Sequence, residues 1–399
     1  MSEGEGTGID AVVIGAGPAG SAMALYLRRA GRQVTVLERA RFPRDKLCGE
    51  FISAEGIAVL ADLGLDRWLA TTCPDIDRVL VSNRRGAVWQ EQLPRWAVGC
   101  TRAALDHQLM QECASAGVDV REGVRVRSVE DDDLGQGVYS GSVPTSAVVH
   151  LASGERLACR LVVYACGRQS ALLRGPQGGS LVHRSAFGPR LPPQEGDGGM
   201  LGLKLHTKGA QQLGSTVELH GFDGGYLGLA AVEGERVNVC ALVQSSALRR
   251  VGKDSQRLAD EVMAANPSLA LRLKQLQLDW SQALAVANLQ FGPAPHTGRL
   301  CVGDSAGAIA PLCGDGISMA LRASQLAAPL ADRYLDGAIT GASMLDSYRR
   351  QWRREFGLRL RLGNQLQALL LSDVGGTLAL TVLRRLPALG RWAIARTRG

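Results

Sequence analysis

The stretch "IDAVVIGAGPAGSAMALYLRRAGRQVTVLER", Ile9 to Arg39, decides how the rest of the chain is read. Ile9 to Ile14 is the short, mostly apolar run that a strand buried in a parallel sheet requires. Gly15, Gly17 and Gly20 follow at G-x-G-x-x-G spacing, with Pro18 and Ala19 inside the pattern, and Ala19 to Ala30 has helical composition. The first glycine permits a tight turn, the second lets backbone approach a pyrophosphate, and the third lets helix and strand pack closely. The helix N-terminus then faces the phosphates. Gln33 to Leu37 reads as a second strand. Glu38 ends it, 18 residues after Gly20 and beside Arg39, where a carboxylate accepts both hydroxyls of an adenosine ribose. Strand, turn, helix, strand and acid in this order make a dinucleotide cradle. NAD and FAD fit it equally.

The choice between them comes nearly three hundred residues later, in "GRLCVGDSAGAIAPLCGDGISMALRASQLAAPL", Gly298 to Leu330. Leu300 to Val302 reads as a strand, and Gly303-Asp304 ends it with a carboxylate placed for a polyol hydroxyl. Pro311, Gly314 and Gly316 shape a loop, and Ile317 to Leu330 reads as a helix. A nicotinamide enzyme has no use for a second such element. A flavin offers a ribityl chain to Asp304, and an N1/C2-carbonyl edge that turns negative on reduction for a helix N-terminus at Gly316 to stabilise. Together the two segments resemble the FAD-binding fold shared by para-hydroxybenzoate hydroxylase, the flavin halogenases and the geranylgeranyl reductases. The resemblance spans Ile9 to about Leu335 and is strongest at its two ends. It implies an α/β fold: a discontinuous Rossmann-like FAD-binding domain, an antiparallel-sheet substrate domain and C-terminal helices, with FAD as cofactor.

Three further segments bear on the branch of that family. "RFPRDKLCGEFISAEGIAVLADLGL", Arg41 to Leu65, carries Lys46, Cys48 and Gly49 as a K-x-C-G core similar to that of the geranylgeranyl reductases, where the cysteine lies beside the flavin. A thiol there can protonate a carbanion; a small buried packing residue next to a glycine turn has the same sequence. In "TRAALDHQLMQECASAGVDV", the resemblance carries FAD contact onto Arg102, which otherwise reads as a solvated arginine at a helix start. In "RLVVYACGRQSALLR", Cys166 stands before Gly167 where similar hydroxylases have an aspartate. That departure points away from aromatic hydroxylases and towards the reductases and halogenases. The Y-x-W-x-F-P motif of geranylgeranyl reductases has only a thin counterpart in "GYLGLAA": Tyr226 is kept, Gly228 replaces the tryptophan, and Ala230-Ala231 replaces Phe-Pro. Tyr226 is a candidate substrate or flavin contact, or a buried sheet tyrosine. No W-x-W-x-I-P halogenase motif occurs. His296, before the strand leading to Asp304, is a candidate proton shuttle or a plain loop residue.

These segments divide the 399 residues into an FAD-binding domain (1–73, 100–178 and 288–335), a substrate domain (74–99 and 179–287) and a basic helical region (336–399). Residues 175–200 read as a Gly/Pro-rich connection, and 248–278 as helical with a break at Asn266-Pro267. Nine cysteines and six histidines are scattered without metal or disulfide spacing, so reduced thiols and no metal site are expected. The first eight residues, "MSEGEGTG", lack the basic and apolar regions of a secretion signal, and no apolar run approaches about 18 residues. A cytoplasmic protein is the expectation. The formal charge of +7 is concentrated from Arg349 onward, where eleven arginines face only Glu355 and Asp373. With no aromatic interleaving, nucleic acid is not expected; an anionic membrane surface is the candidate partner, giving a peripheral location.

The function this implies is reduction of a C=C bond in an isoprenoid, lipid-like or secondary-metabolite substrate by hydride from reduced FAD, with Cys48 and Tyr226 as candidate catalytic residues. NAD(P)H is the expected donor, although no second glycine fingerprint marks a nicotinamide site. The alternatives are a monooxygenase that hydroxylates or epoxidises a hydrophobic or aromatic substrate, a halogenase, and a non-enzymatic lipid carrier.

Overall fold

The computed structural model describes residues 8–130, 134, 147–168, 170–173, 199–289, 291–294 and 298–397. His296 and nearly all of the 175–200 connection lie outside the described residues. Two sheets organise the molecule. The smaller runs in the order Asp119–Glu122, Val34–Glu38, Ile9–Ile14, Arg156–Tyr164, Ala147–Leu151, Val126–Glu130. Its first four strands are parallel, and Leu300–Cys301 also pairs parallel with Arg156–Tyr164; the last two add antiparallel. Val34–Glu38 is buried throughout, as a strand covered on both faces must be. Three helices, Pro18–Arg29, Arg102–Ser115 and Gly316–Leu335, share one hydrophobic core with it. Their starts are locally encoded: Pro18 sits in the first turn after Gly17, and the Thr101 hydroxyl accepts from the Ala104 amide at 3.1 Å.

The larger sheet has eight strands, in the order Leu284–Leu289, Met200–Lys208, Arg236–Gln244, Gly225–Val232, Thr216–Phe222, Asp75–Ser82, Val88–Gly99, Phe51–Ile52. It is antiparallel except at its middle, where Thr216–Phe222 runs parallel to Asp75–Ser82. The reason is connectivity: the two strands belong to separate excursions of the chain, so no hairpin fixes their direction. Two segments cross between units. Phe51–Ile52, inside the expected 1–73 segment, and Leu284–Leu289, which spans position 288, both pair with this larger sheet. One face of the sheet, including Val237, Val239 and Val243, packs on helical segments between 245 and 282. There the expected break before Pro267 is present, preceded by π- and 3-10-helical turns.

The C-terminal region forms three helices, Gly341–Leu371, Asp373–Arg385 and Pro387–Thr397. The first runs past the Pro311–Gly316 loop so closely that a Cβ on Gly363 would lie 2.8 Å from the Cys313 sulfur. The last meets the larger sheet, where a Cβ on Gly390 would lie 2.4 Å from the Trp89 ring.

Candidate flavin and substrate site

The glycine turn after Ile14 is sterically committed. Gly15 has φ +104°, and a Cβ there would lie 2.6 Å from the Ala165 carbonyl oxygen; a Cβ on Gly20 would lie 1.8 Å from that of Gly15. At the start of the Pro18–Arg29 helix, a Cβ on Gly17 would lie 3.4 Å from the Arg102 guanidinium. Glu38 is buried at the end of its strand, with Oε2 accepting from the Ala16 amide at 3.0 Å and Oε1 from the Ala40 amide at 2.9 Å. Its carboxylate is thereby fixed, and each oxygen keeps a lone pair for a ribose hydroxyl. Arg39 is exposed beside it.

From this turn a cavity of about 360 Å³ passes between the two sheets. The structure brings most sequence-predicted residues to it. Gly17, Pro18, Ala19, Lys46, Cys48 and Arg102 form one wall, and Gly303, Asp304, Pro311, Gly314, Gly316 and Ile317 another. Tyr226 enters from the larger sheet. Gly15, Gly20, Glu38 and Arg39 lie off its lining, at the turn and ribose end.

Arg102 is buried, and its guanidinium holds Asp106 through two bonds of 2.7 Å. Burial disfavours its charge, but the Asp106 carboxylate outweighs that and keeps the group above its ordinary value. Lys46 nearby is lowered, by burial first and then by the Arg102 charge. Asp304 pairs with Arg168 at 3.2 Å. The helix Gly316–Leu335 opens its N-terminus on the cavity, and a Cβ on Gly316 would meet nothing within 4 Å, so its amides are approachable. Cys166 is half-buried, with its sulfur 3.8 Å from the Ser305 hydroxyl. The Tyr226 hydroxyl donates to Gln367 of the long C-terminal helix at 3.0 Å, and burial raises it well above its ordinary value.

Three buried networks escaped sequence reasoning. In the first, Glu50 (φ +54°) accepts from Lys204 Nζ at 2.5 Å and the Arg102 amide at 2.8 Å, and bonds His206 Nε2 at 2.6 Å. Lys204 also donates to the Lys46 carbonyl at 3.0 Å, so this cluster pins the Lys46–Cys48 loop against the cavity. The Glu50 amide contacts the Cys48 sulfur at 3.4 Å. In the second, Asp315 accepts from Ser53 at 2.9 Å and Arg359 at 3.2 Å. Burial pushes the Asp315 carboxyl up to about 7 against the pull of Arg359. In the third, Ser82 Oγ lies 2.7 Å from His220 Nδ1, and His220 Nε2 lies 2.9 Å from Glu218, which Arg272 also binds. The residue types are those of a hydrolase triad. Ser82 and His220 are buried off the cavity lining, however, and Asn266 also donates to Ser82 at 2.8 Å, so the set clamps helix Pro267–Leu276 to the sheet.

The start of the Pro18–Arg29 helix, Asp304 and the open N-terminus of Gly316–Leu335 meet on one cavity, with Glu38 fixed behind the glycine turn, an arrangement that suits FAD. The chain belongs to the FAD-binding-domain family, whose model matches residues 8–359. It is an FAD-dependent oxidoreductase. It is 29% identical over 341 residues to a menaquinone reductase of Mycobacterium tuberculosis, covering 81% of this chain and 76% of the relative. It is 27% identical over 364 residues to digeranylgeranylglycerophospholipid reductase 2 of Methanopyrus kandleri, covering 87% and 83%. Among solved structures, the flavin-dependent brominase Bmp2 has the same fold (TM-score 0.73, 18% identity, covering 98% and 93%). So does Pseudomonas aeruginosa PqsL in complex with 2-aminobenzoylacetate (TM-score 0.72, 17% identity, covering 93% and 99%).

Proposed function

We propose that the protein reduces a C=C bond of an isoprenoid or similarly apolar substrate. The observation that carries this reading is the far half of the cavity. Beyond Tyr226 it is lined by Val79, Val81 and Trp89 of the larger sheet and by Leu366, Leu380 and Ile394 of the C-terminal helices. Such a lining rewards a long hydrocarbon and gives a polar aromatic acid little to bond. The gap at Gly228 widens it, since the nearest atom to a Cβ there would be 3.7 Å away. The reductase relatives support the same substrate class.

Bound and reduced, FAD supplies two electrons as a hydride. The chain's own residues position and protonate. The glycine turn and Arg102 hold the phosphate end, and the Gly316 helix start favours negative charge at the opposite end. Cys48 Sγ, fixed by the Glu50 amide, is the proposed proton donor to the substrate carbon that does not receive hydride. Cys240 and Cys313 also line the cavity; Cys240 is pushed up to about 12 by burial and stays protonated. Tyr226 and Gln367 brace the wall between flavin and substrate ends.

The test is anaerobic. The FAD-loaded protein is reduced with NADPH, NADH or dithionite and mixed with detergent-dispersed geranylgeranyl lipid or prenylated quinone. Flavin absorbance should bleach on reduction and recover with substrate as the product gains two hydrogens; bleaching by NADPH or NADH but not by buffer identifies the donor. If absorbance recovers only with oxygen and the product gains an oxygen atom, the protein is a monooxygenase and the proposal fails.

A further inference from the structure

We infer that the exposed side of the C-terminal helical hairpin, Asp373–Arg385 and Pro387–Thr397, seats the protein on an anionic lipid surface, so that the cavity behind it draws its substrate from the bilayer. This rests on the apolar-substrate reading above.

Both helices are two-faced. Their inner side, with Gly376, Ala379, Leu380, Ala393 and Ile394, lines the apolar end of the cavity. Their outer side is also apolar. Val374 is 68% exposed, Leu378 63%, Leu386 57% and Trp392 50%. Val374 and Leu378 are four residues apart and so share one stripe of their helix. Of the ten exposed large apolar side chains among the described residues, six fall between Leu369 and Trp392. A patch this concentrated marks a contact surface.

Charge identifies the occupant. Arg384, Arg385, Arg391 and Arg396 are exposed among these apolar groups, and the sequence has no acid after Asp373. A second copy docking through the same face would set arginines against arginines. Nucleic acid would leave the leucines and tryptophan without a partner. An anionic membrane satisfies both sets: acyl chains take Leu378 and Trp392, and headgroups take the arginines. Among the described residues no single helix is long and apolar enough to cross a membrane, and the pair that passes by length and composition, Gly341–Leu371 with Val374–Arg385, is bent by 111°. Because the inner side of the hairpin lines the cavity, we place it on the surface. Only its own thickness, about 10 Å, then separates lipid from the cavity.

The test is flotation of the FAD-loaded full chain with vesicles of phosphatidylcholine, alone or mixed with phosphatidylglycerol. Binding should require phosphatidylglycerol and fall in high salt. Arg384→Gln with Arg385→Gln should weaken it about 25-fold, about 5-fold per arginine. Val374→Ser with Leu378→Ser should weaken it about 10-fold or more. None of these four side chains lines the cavity, so FAD content and turnover of detergent-dispersed substrate should be unchanged. Quenching by brominated lipid should disappear in Trp392→Phe. Equal binding to both vesicle types, no binding, or variants that float like the parent overturns the proposal. So does a lipid-free dimer that the Val374/Leu378 variant dissociates, which would make the face a self-interface. Failure to float with normal reduction of dispersed substrate rejects the docking alone; normal flotation without reduction rejects the substrate reading alone.

Discussion

Replacing Glu50 with glutamine tests whether an ionic cluster sets the active-site loop. Glu50 is fully buried and bonds Lys204, His206 and the Arg102 amide; Lys204 is 2% exposed. Glutamine keeps the shape but removes the charge, leaving an ammonium in the core. Breaking a buried pair from one side costs about 3–5 kcal/mol. Asp45 remains 3.4 Å from Lys204 but is mostly exposed, which sets the lower end, about 3 kcal/mol. Unfolding entropy of about 2.1 cal/mol/K per residue gives roughly 0.8 kcal/mol/K for this chain, so the melting temperature should fall by about 4 °C. FAD affinity should fall as well, because Lys204 holds the Lys46 carbonyl and Glu50 the start of the Arg102 helix. Lys204→Met removes the stranded cation, so the double variant should recover part of the loss, with a coupling energy of about 2 kcal/mol by calorimetry and flavin titration. Additive losses in the double variant would refute the cluster as the cause.

The remaining predictions are shorter. Gly20→Ala should purify without flavin, because its Cβ would lie 1.8 Å from the Gly15 carbonyl oxygen; a holoprotein with normal FAD absorbance contradicts the turn geometry. Asp315, at about 7 when folded, binds protons more tightly there than unfolded, so its contribution to stability is lost as pH rises through that value. Between pH 5 and 8 this costs roughly 3 kcal/mol at about 1.4 kcal/mol per pH unit below 7. The melting-temperature advantage of the parent over Asp315→Asn should therefore shrink by about 3 °C over that range, and a constant difference rejects the assignment. Gly228→Trp should keep FAD but reduce turnover of long prenyl substrates at least about 10-fold by filling the cavity beside Tyr226; unchanged kcat/KM would show that the substrate lies elsewhere.

The cofactor half was legible because its chemistry is local. Gly15 to Gly20 act through backbone and Cβ exclusion, Glu38 bonds the amide of Ala16 inside the same unit, and Gly316 acts through the helix it starts. Within the substrate half, an antiparallel sheet was the expectation, but strand composition carries no direction. The parallel pairing of Thr216–Phe222 with Asp75–Ser82 was therefore not readable. Nothing local singles out Glu50, because the partners that bury it stand 154 and 156 positions away. Nothing local singles out Asp315 either, because Arg359 arrives from a helix 44 residues later.

The same separation explains why the reaction is harder to read than the cofactor. The two segments expected to hold FAD each carry their own glycines, whereas the apolar end of the cavity is assembled from stretches far apart in the chain. The Cys48 loop is anchored by Lys204, Tyr226 is anchored by Gln367, and the far wall is completed by Gly376, Leu380 and Ile394. The basic C-terminal sequence showed the outward arginines, but not that the small residues between them leave room for a cavity. Gly390 is there because Trp89 occupies the place of a side chain, and Gly363 because Cys313 does. Relatives that share the cofactor half can therefore differ in chemistry by changing these distant contributors. Substitutions at Gly228, Tyr226 and the hairpin's inner face should redirect substrate choice while leaving the flavin spectrum intact, and loss of bound flavin in those variants would show that the two halves are not separable.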